Sequence, residues 1–168
     1  LDPESSDIVE IDGTLYSNWL PWHFDHCYNN ELNRAGVLRM TENTPTGGLT
    51  GFMDGIELYK LMPRELRDAI EGSSIVYSMD MQFDHMRFGR LDNFRLVQLD
   101  PHMIDIHKQS REYQRAIHPA VWTRDSGEKV FHLSPWMSEG IVGHENAEGD
   151  SLLEAVCQEI VRISDANA

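Results

Sequence analysis

The segment Trp22-His23-Phe24-Asp25-His26 carries the clearest chemical signal in the sequence. It ends a stretch, residues 14–26, that is rich in aromatic residues and leucine, and this composition predicts extended structure packed on a sheet. Side chains two residues apart on a strand project to the same face. His23 and Asp25 would therefore present an imidazole and a carboxylate to a single point.

This pair of side chains suits a metal ion. Non-haem Fe(II) oxygenases combine one histidine and one carboxylate with a second histidine, which leaves coordination positions open for a co-substrate and dioxygen. The same short motif also arises by chance, and a polar pair on the surface is the alternative that these residues leave open. His26 would point to the opposite face of the strand. We expect it to support the site or to be a buried polar residue, rather than to bind the metal.

Further segments follow in an informative order. They are Pro45-Thr46-Gly47-Gly48-Leu49-Thr50, a helical stretch at 53–59, His118-Pro119-Ala120-Val121-Trp122-Thr123 with its continuation to Lys129, Ser134-Pro135-Trp136, Gly140-Ile141-Val142-Gly143 and a helix at Leu152-Leu153-Glu154. Together with the Trp-His-Phe-Asp segment, this order resembles the taurine/phenoxyacetate dioxygenase family over residues 14–80 and 116–165.

The resemblance implies a fold, cofactors and residue roles. The fold would be α+β, with a double-stranded β-helix (jelly-roll) core and flanking helices, incomplete at the C-terminus. The cofactors would be Fe(II), held by His23 and Asp25, and 2-oxoglutarate, whose carboxylate Thr50 would contact. Alternatively, Thr50 caps the following helix, since threonine is a good N-cap. In the family the third ligand, a histidine, and the 2-oxoglutarate-binding arginine follow the last helix matched here, so the resemblance places both beyond residue 168. We expect His118 to pack or bond locally in the hairpin, and we do not expect His144 to be a ligand.

Local patterns predict an α+β arrangement of helices flanking an antiparallel sheet. The predicted order is a strand at 36–40, a loop at 43–48, helices at 52–61 and 63–72, a strand at 75–79, a hairpin at 118–133, a loop at 134–143 and a helix from Ser151. Ser151 and Glu154 have the spacing of a capping box, and Leu152, Val156, Ile160 and Ile163 form one apolar stripe.

Residues 80–116 hold no regular period and predict a lid or insert within a single domain spanning 1–168. His85, Arg87, Arg90 and Arg95 in this segment are either solvated or in contact with an anionic group of a substrate, since arginine suits carboxylate and sulfonate geometry. We predict four substrate contacts: Tyr28, Arg87, Arg90 and Trp136. Trp136 and Tyr28 could equally belong to the core with Trp19 and Trp22. His102 and His107 have no partner pattern for a metal.

Composition narrows the class of partner. The formal charge of −14 argues against a nucleic-acid partner, and no apolar run approaches the ~20 residues of a membrane helix.

Cys27 and Cys157 form no CxxC pattern, which favours a reducing, cytoplasmic setting, although one disulfide remains an alternative. The N-terminus lacks the regions of a signal peptide and an initiator methionine, so we expect that the chain starts within a longer protein. A homo-oligomer is compatible with the sequence.

The resemblance therefore predicts an enzyme that binds a small molecule and dioxygen. It would oxidise, most simply hydroxylate, a C–H bond of a small anionic substrate and release succinate and carbon dioxide. Two alternatives stay open from the residues alone. One is an inactive jelly-roll binding module, and the other is a cupin-like metal hydrolase or isomerase that would act without oxygen or 2-oxoglutarate.

Overall fold

The computed structural model describes residues 8–11, 13–17, 20–42, 45, 49–80, 85–91, 95–96, 112–113 and 115–168. Three helices and eight strands lie within these ranges. The strands are β1 (Ile8–Ile11), β2 (Thr14–Ser17), β3 (Ser74–Tyr77), β4 (Arg95–Leu96), β5 (Ala116–Pro119), β6 (Val121–Thr123), β7 (Lys129–Phe131) and β8 (Ser138–Ile141). The helices are α1 (Gly55–Leu61), α2 (Arg64–Ile70) and α3 (Ala147–Asn167). Antiparallel sheets with helices confirm the predicted α+β class.

The central sheet has the strand order β5-β3-β8, and both pairings are antiparallel. In β3, Ile75 and Tyr77 are fully buried and alternate with less buried neighbours, as a strand with one face on the core requires. The loop predicted at 134–143 is wrong in part, because residues 138–141 form β8. Its sequence, Ser-Glu-Gly-Ile, has little β-propensity, so the strand exists through its pairing with β3.

Two smaller sheets accompany it. The predicted hairpin is confirmed, with β6 and β7 paired through Trp122 and Val130. Its turn is closed where Gly127 N–H donates to the Arg124 carbonyl at 2.8 Å, and Gly127 has the positive φ that favours glycine. The third sheet has the order β2-β1-β4. Residues 95–96 of the predicted lid therefore belong to a strand, and among the described residues of the predicted extended stretch, 14–17 do so.

Helix α1 begins later than predicted. Asp54 caps it by accepting a hydrogen bond from the Ile56 N–H at 2.7 Å, so the alternative role of Thr50 as its cap is wrong. Phe52, predicted inside this helix, lies before it and is 72% exposed. Helix α2 follows Pro63, and a turn at Gly72, with φ of +87°, leads into β3. This second helix agrees with the prediction.

Helix α3 covers the core and is longer than predicted. Asn146 caps it by accepting from the N–H groups of Glu148 and Gly149, each at 3.0 Å. The capping box expected at Ser151 is wrong, because the Ser151 hydroxyl donates to the Ala147 carbonyl inside the helix. The first turn, Ala147-Glu148-Gly149-Asp150, has no apolar periodicity from which the earlier start of the helix could have been predicted. The predicted stripe is confirmed at three buried positions: Val156, Ile160 and Ile163.

The strand predicted at residues 36–40 is wrong. These residues form neither helix nor strand, and the side chains of Val37 and Leu38 are 94% and 76% exposed. A single extended segment gains no ladder hydrogen bonds without a neighbour. The apolar pattern alone was therefore not sufficient to form a strand here. The loop predicted at 43–48 lies mostly outside the described residues, as do His102 and His107.

Candidate metal centre

His23 and Asp25 converge, although not on a strand as predicted. Residues 25–28 form a turn in which the Asn29 N–H donates to the His26 carbonyl at 2.8 Å. His26 has a φ of 63° and an exposed side chain, so the expectation that it is buried is wrong, and its support of the site stays a prediction. The turn brings His23 Nε2 to 3.4 Å from Asp25 Oδ1.

The hydrogen bond made by Nδ1 of His23 determines the tautomer of its ring. Nδ1 lies 2.7 Å from the Pro21 carbonyl oxygen. A carbonyl oxygen only accepts, so Nδ1 carries the proton and donates it. In the neutral ring, Nε2 then keeps its lone pair and faces Asp25. This is the arrangement in which proteins present histidine to metal ions, because the bond at the other nitrogen fixes both ring orientation and tautomer.

The pair fits a metal ion as two of its ligands. Ligand atoms about 2.1 Å from an ion and at a right angle to each other are about 3 Å apart, near the observed 3.4 Å. His23 is mostly buried, whereas Asp25 is 74% exposed and can adjust to an ion. In the part of the chain that the structure describes, no group of three histidine, cysteine or acidic side chains could hold a metal ion. Among the described residues, His23 and Asp25 therefore form a candidate pair of ligands.

Trp136 packs against the candidate ligand. Its ring meets the His23 ring edge to face, with the ring centroids 5.1 Å apart and the planes at 87°. Trp136 is nearly buried in a tight turn, in which Ser134 Oγ donates to the Trp136 carbonyl and Ser138 Oγ donates to the Ser134 carbonyl. This predicted substrate residue therefore lies beside His23 and shields one side of the imidazole.

Phe24 anchors the segment between the two ligands. It stacks on His132, with the ring centroids 3.9 Å apart, and meets Tyr77 edge to face at 5.7 Å. Nearby, His118 on β5 uses its Nε2 to donate to the Asn29 carbonyl at 2.8 Å, rather than bonding within the hairpin. Burial lowers the pKa of His132, and the neighbouring His118 lowers it further. A neutral imidazole is therefore favoured under Phe24.

Comparison with known proteins identifies the family of the chain. The family model described as "Taurine catabolism dioxygenase TauD, TfdA family" matches residues 3–163 of the chain. The chain belongs to this family. The resemblance noted in the sequence is thus confirmed, and the match includes His23, Asp25 and Thr50.

Among solved structures, the chain is similar to a protein from Burkholderia xenovorans, provisionally assigned as an alpha-ketoglutarate dependent 2,4-D dioxygenase. The two share 23% identity with a TM-score of 0.40, and the similarity covers 64% of this chain and 36% of that chain. The TauD/TfdA-family chain described here thus spans about a third of that protein's length. No helix among its described residues is long and apolar enough to cross a membrane.

The residue after Thr50 lies beside the residue that precedes His23. A Cβ atom added to Gly51 would lie 2.7 Å from Cη2 of Trp22, so the backbone of this segment lies directly against the indole that precedes His23. Thr50 itself is exposed and lies outside any helix or strand. The structure therefore brings His23 and Asp25 together and places the residue after Thr50 against Trp22.

Tyr28 lies near the end of the irregular segment that carries His23 and Asp25, residues 21–29, which we call the ligand loop. Its half-buried ring is 5.9 Å from that of His26, and burial raises its pKa. The preceding Cys27 is fully buried, and burial raises the pKa of its thiol to about 12. Both cysteines are free, so the disulfide alternative is wrong.

The segment that carries the predicted arginines Arg87 and Arg90 contacts α3 instead. Arg87 forms an ion pair with Asp150 at 2.9 Å and also donates to the Glu139 carbonyl. The backbone carbonyl of Arg90 accepts from Gln158, and the Gly89 N–H donates to Glu154. Residues 85–91 are thus fastened to the helix. The structure does not group these arginines with the ligand pair through any of these contacts.

Three features of the site were not predicted: the Pro21 carbonyl that orients His23, the ring cluster around Phe24, and a hydrogen bond from Trp22 Nε1 to Asp165 at 2.6 Å. The aromatic content of residues 14–26 hinted at packing. It did not identify partners that lie up to 143 residues away.

Proposed function

We propose that the protein containing this chain is an Fe(II)- and 2-oxoglutarate-dependent dioxygenase. It would oxidise, most simply hydroxylate, a C–H bond of a small anionic molecule, with release of succinate and carbon dioxide. Membership of the TauD/TfdA family supports the reaction class. The observation that carries the proposal is His23, whose Nδ1–H is bonded to Pro21 so that Nε2 faces Asp25.

In this proposal the chain's residues have distinct tasks. His23 and Asp25 hold Fe(II), and a histidine from beyond residue 168 completes the set. Thr50 contacts the 2-oxoglutarate carboxylate, and an arginine beyond residue 168 binds its other end. The bound iron supplies the redox chemistry that couples 2-oxoglutarate decarboxylation to substrate oxidation. Pro21 keeps His23 in the ligating tautomer, and Trp136 excludes water from one side of the ring.

The fold would serve this chemistry as part of a jelly roll. We place the antiparallel sheets in one domain spanning 1–168, with residues 80–116 as an insert. For the substrate we retain Tyr28, Arg87, Arg90 and Trp136. Trp136 has the strongest support, since it contacts His23. Arg87 would have to exchange its ion pair with Asp150 for the substrate anion, at the cost of that pair. Dioxygen and a small molecule are then the only partners the proposal needs.

The experiment is succinate release from 2-oxoglutarate by the full-length protein with Fe(II) and oxygen. His23→Ala and Asp25→Ala should lose iron-dependent succinate, because each removes a ligand from an already minimal set. His144→Ala is the matched control: it removes an exposed histidine outside the pair and should retain the activity.

Two results would contradict the proposal. If the full-length protein releases no succinate and forms no iron charge-transfer band with 2-oxoglutarate under anaerobic conditions, an inactive binding module becomes the better interpretation. Turnover of a substrate without oxygen or 2-oxoglutarate would instead favour a metal hydrolase or isomerase that uses the same pair.

A further inference from the structure

The indole of Trp22 connects the segment that carries His23 to the C-terminal end of helix α3. Its Nε1–H donates to Asp165 Oδ1 at 2.6 Å, and Asp165 lies in the last turn of α3. The two residues are 143 positions apart in sequence. A short hydrogen bond to a carboxylate is stronger than one between neutral groups. It connects the residue before His23 to the end of a 21-residue helix.

The benzene ring of the indole is also confined, beside the N–H that makes this hydrogen bond. The backbone at Gly51 approaches Cη2 and Cζ2 of Trp22 so closely that an added Cβ would lie 2.7 Å and 3.3 Å from them. The same Cβ would lie 3.2 Å from Cβ of Ala168, just after α3. Gly51 therefore occupies a narrow slot between the indole and the helix end. The ring is held by the hydrogen bond at Nε1 and by the backbone against the adjacent Cζ2 and Cη2 atoms.

This confinement matters because the ligand segment has no helix or strand of its own. Residues 20–24 form no regular element, so side-chain contacts determine where the His23 backbone lies. Trp22 is covalently joined to His23, and Pro21, whose carbonyl orients the imidazole, precedes Trp22. A shift of the indole would move both the ligand and the group that fixes its tautomer.

We propose that Trp22 and Asp165 are positioning residues for the metal site, acting through His23. Asp165 fixes the indole, and the indole fixes the backbone from which His23 reaches the metal. The inference rests on the proposed function, because it requires that His23 binds Fe(II). Its distinguishing consequence is that breaking an exposed hydrogen bond weakens metal binding while leaving the fold nearly as stable.

The test measures anaerobic Fe(II) binding to the full-length apo-protein by titration calorimetry, together with the melting temperature. Trp22→Phe removes the donor and Asp165→Ala removes the acceptor. Each should weaken Fe(II) binding about tenfold, the scale on which residues that orient metal ligands act. The double variant should bind Fe(II) no more weakly than either single variant, since both single substitutions remove the same hydrogen bond. Asp165→Asn keeps an acceptor oxygen and should remain within about twofold of wild type.

Asp125→Ala is the matched control, because it removes an exposed aspartate in the β6–β7 turn. It should leave Fe(II) binding unchanged. Wild-type affinity in both Trp22→Phe and Asp165→Ala, while His23→Ala loses binding, would overturn this inference alone. So would additive losses in the double variant, or losses that follow the melting temperature and are not rescued by Asp165→Asn. Absence of Fe(II) binding in the wild-type protein would overturn the proposed function as well.

Discussion

Two stretches of irregular chain in this molecule behave in opposite ways. The ligand loop, residues 21–29, and the exposed stretch, residues 35–42 with Leu49 and Phe52, both lack helix and strand. In the ligand loop, Pro21 and Cys27 are buried and Phe24 packs between rings. In the exposed stretch, Leu49 is 96% exposed and Phe52 is 72% exposed.

The difference lies in the partners of the backbone and side chains, not in hydrophobicity. Irregular backbone can be buried only if its polar groups are hydrogen-bonded. In the ligand loop, the Pro21 carbonyl accepts from His23, the His26 carbonyl from Asn29, and the Asn29 carbonyl from His118. A loop fixed in this way can hold a metal ligand in one place, which a site requires.

The largest expected effect comes from removing the anchor of the ligand loop. Phe24→Ala should lower the free energy of unfolding by about 3 kcal/mol, because it empties a site between His132 and Tyr77. Urea denaturation followed by circular dichroism measures this loss. The same substitution in the exposed stretch, Phe52→Ala, provides the matched control.

Phe52→Ala should change the free energy of unfolding by less than about 0.5 kcal/mol, as is usual for exposed positions. The comparison fails if the two variants lose similar stability. In that case the stacking of Phe24 on His132 would not distinguish the ligand loop from the exposed stretch.

Local signals predicted the elements that local physics determines. Pro63 and Gly72 delimited α2, and the stripe at Val156, Ile160 and Ile163 predicted the buried face of α3. Strand β8 could not be predicted, because Ser-Glu-Gly-Ile becomes a strand only beside β3. The strand expected at 36–40 failed for the converse reason, since its apolar side chains found no sheet.

In the candidate site, too, local spacing could be predicted from the sequence and tertiary contacts could not. The spacing of His23 and Asp25 predicted their convergence, although a turn rather than a strand produces it. The roles of both residues and of Thr50 stay predictions. The supporting contacts, such as that of Trp22 with Asp165, depend on tertiary structure and left no trace in the local sequence.

A smaller effect should appear in the pH dependence of stability. Burial lowers the pKa of His132 in the folded protein, so the unfolded chain binds the proton first as the pH falls. The stabilisation is fully present above the unfolded pKa of about 6.5 and is lost as the pH falls below it, towards the lower folded pKa. The wild-type free energy of unfolding should therefore decrease on acidification through this range.

His132→Phe removes this titration and keeps a ring under Phe24, so its stability should decrease less over the same range. Urea denaturation at a series of pH values, compared between the two proteins, isolates the contribution of His132 from that of the carboxylates. Parallel curves for both proteins would show that His132 is not buried as the structure has it. The ring cluster would then be a weaker anchor than the contacts of Phe24 indicate.

The smallest expected effect belongs to the exposed stretch. Replacing Val37 and Leu38 together by serine should change the free energy of unfolding by less than about 0.5 kcal/mol. Apolar burial stabilises in proportion to the area removed from water, at about 25 cal/mol per Å². At 94% and 76% exposure, these side chains bury little area on folding, so their loss removes little stabilisation. A loss of about 2 kcal/mol, the scale of a buried aliphatic side chain, would mean that the stretch packs against something in the folded protein. The ligand loop and the exposed stretch would then both be anchored segments. Anchoring could no longer explain why only the ligand loop carries the candidate ligands His23 and Asp25.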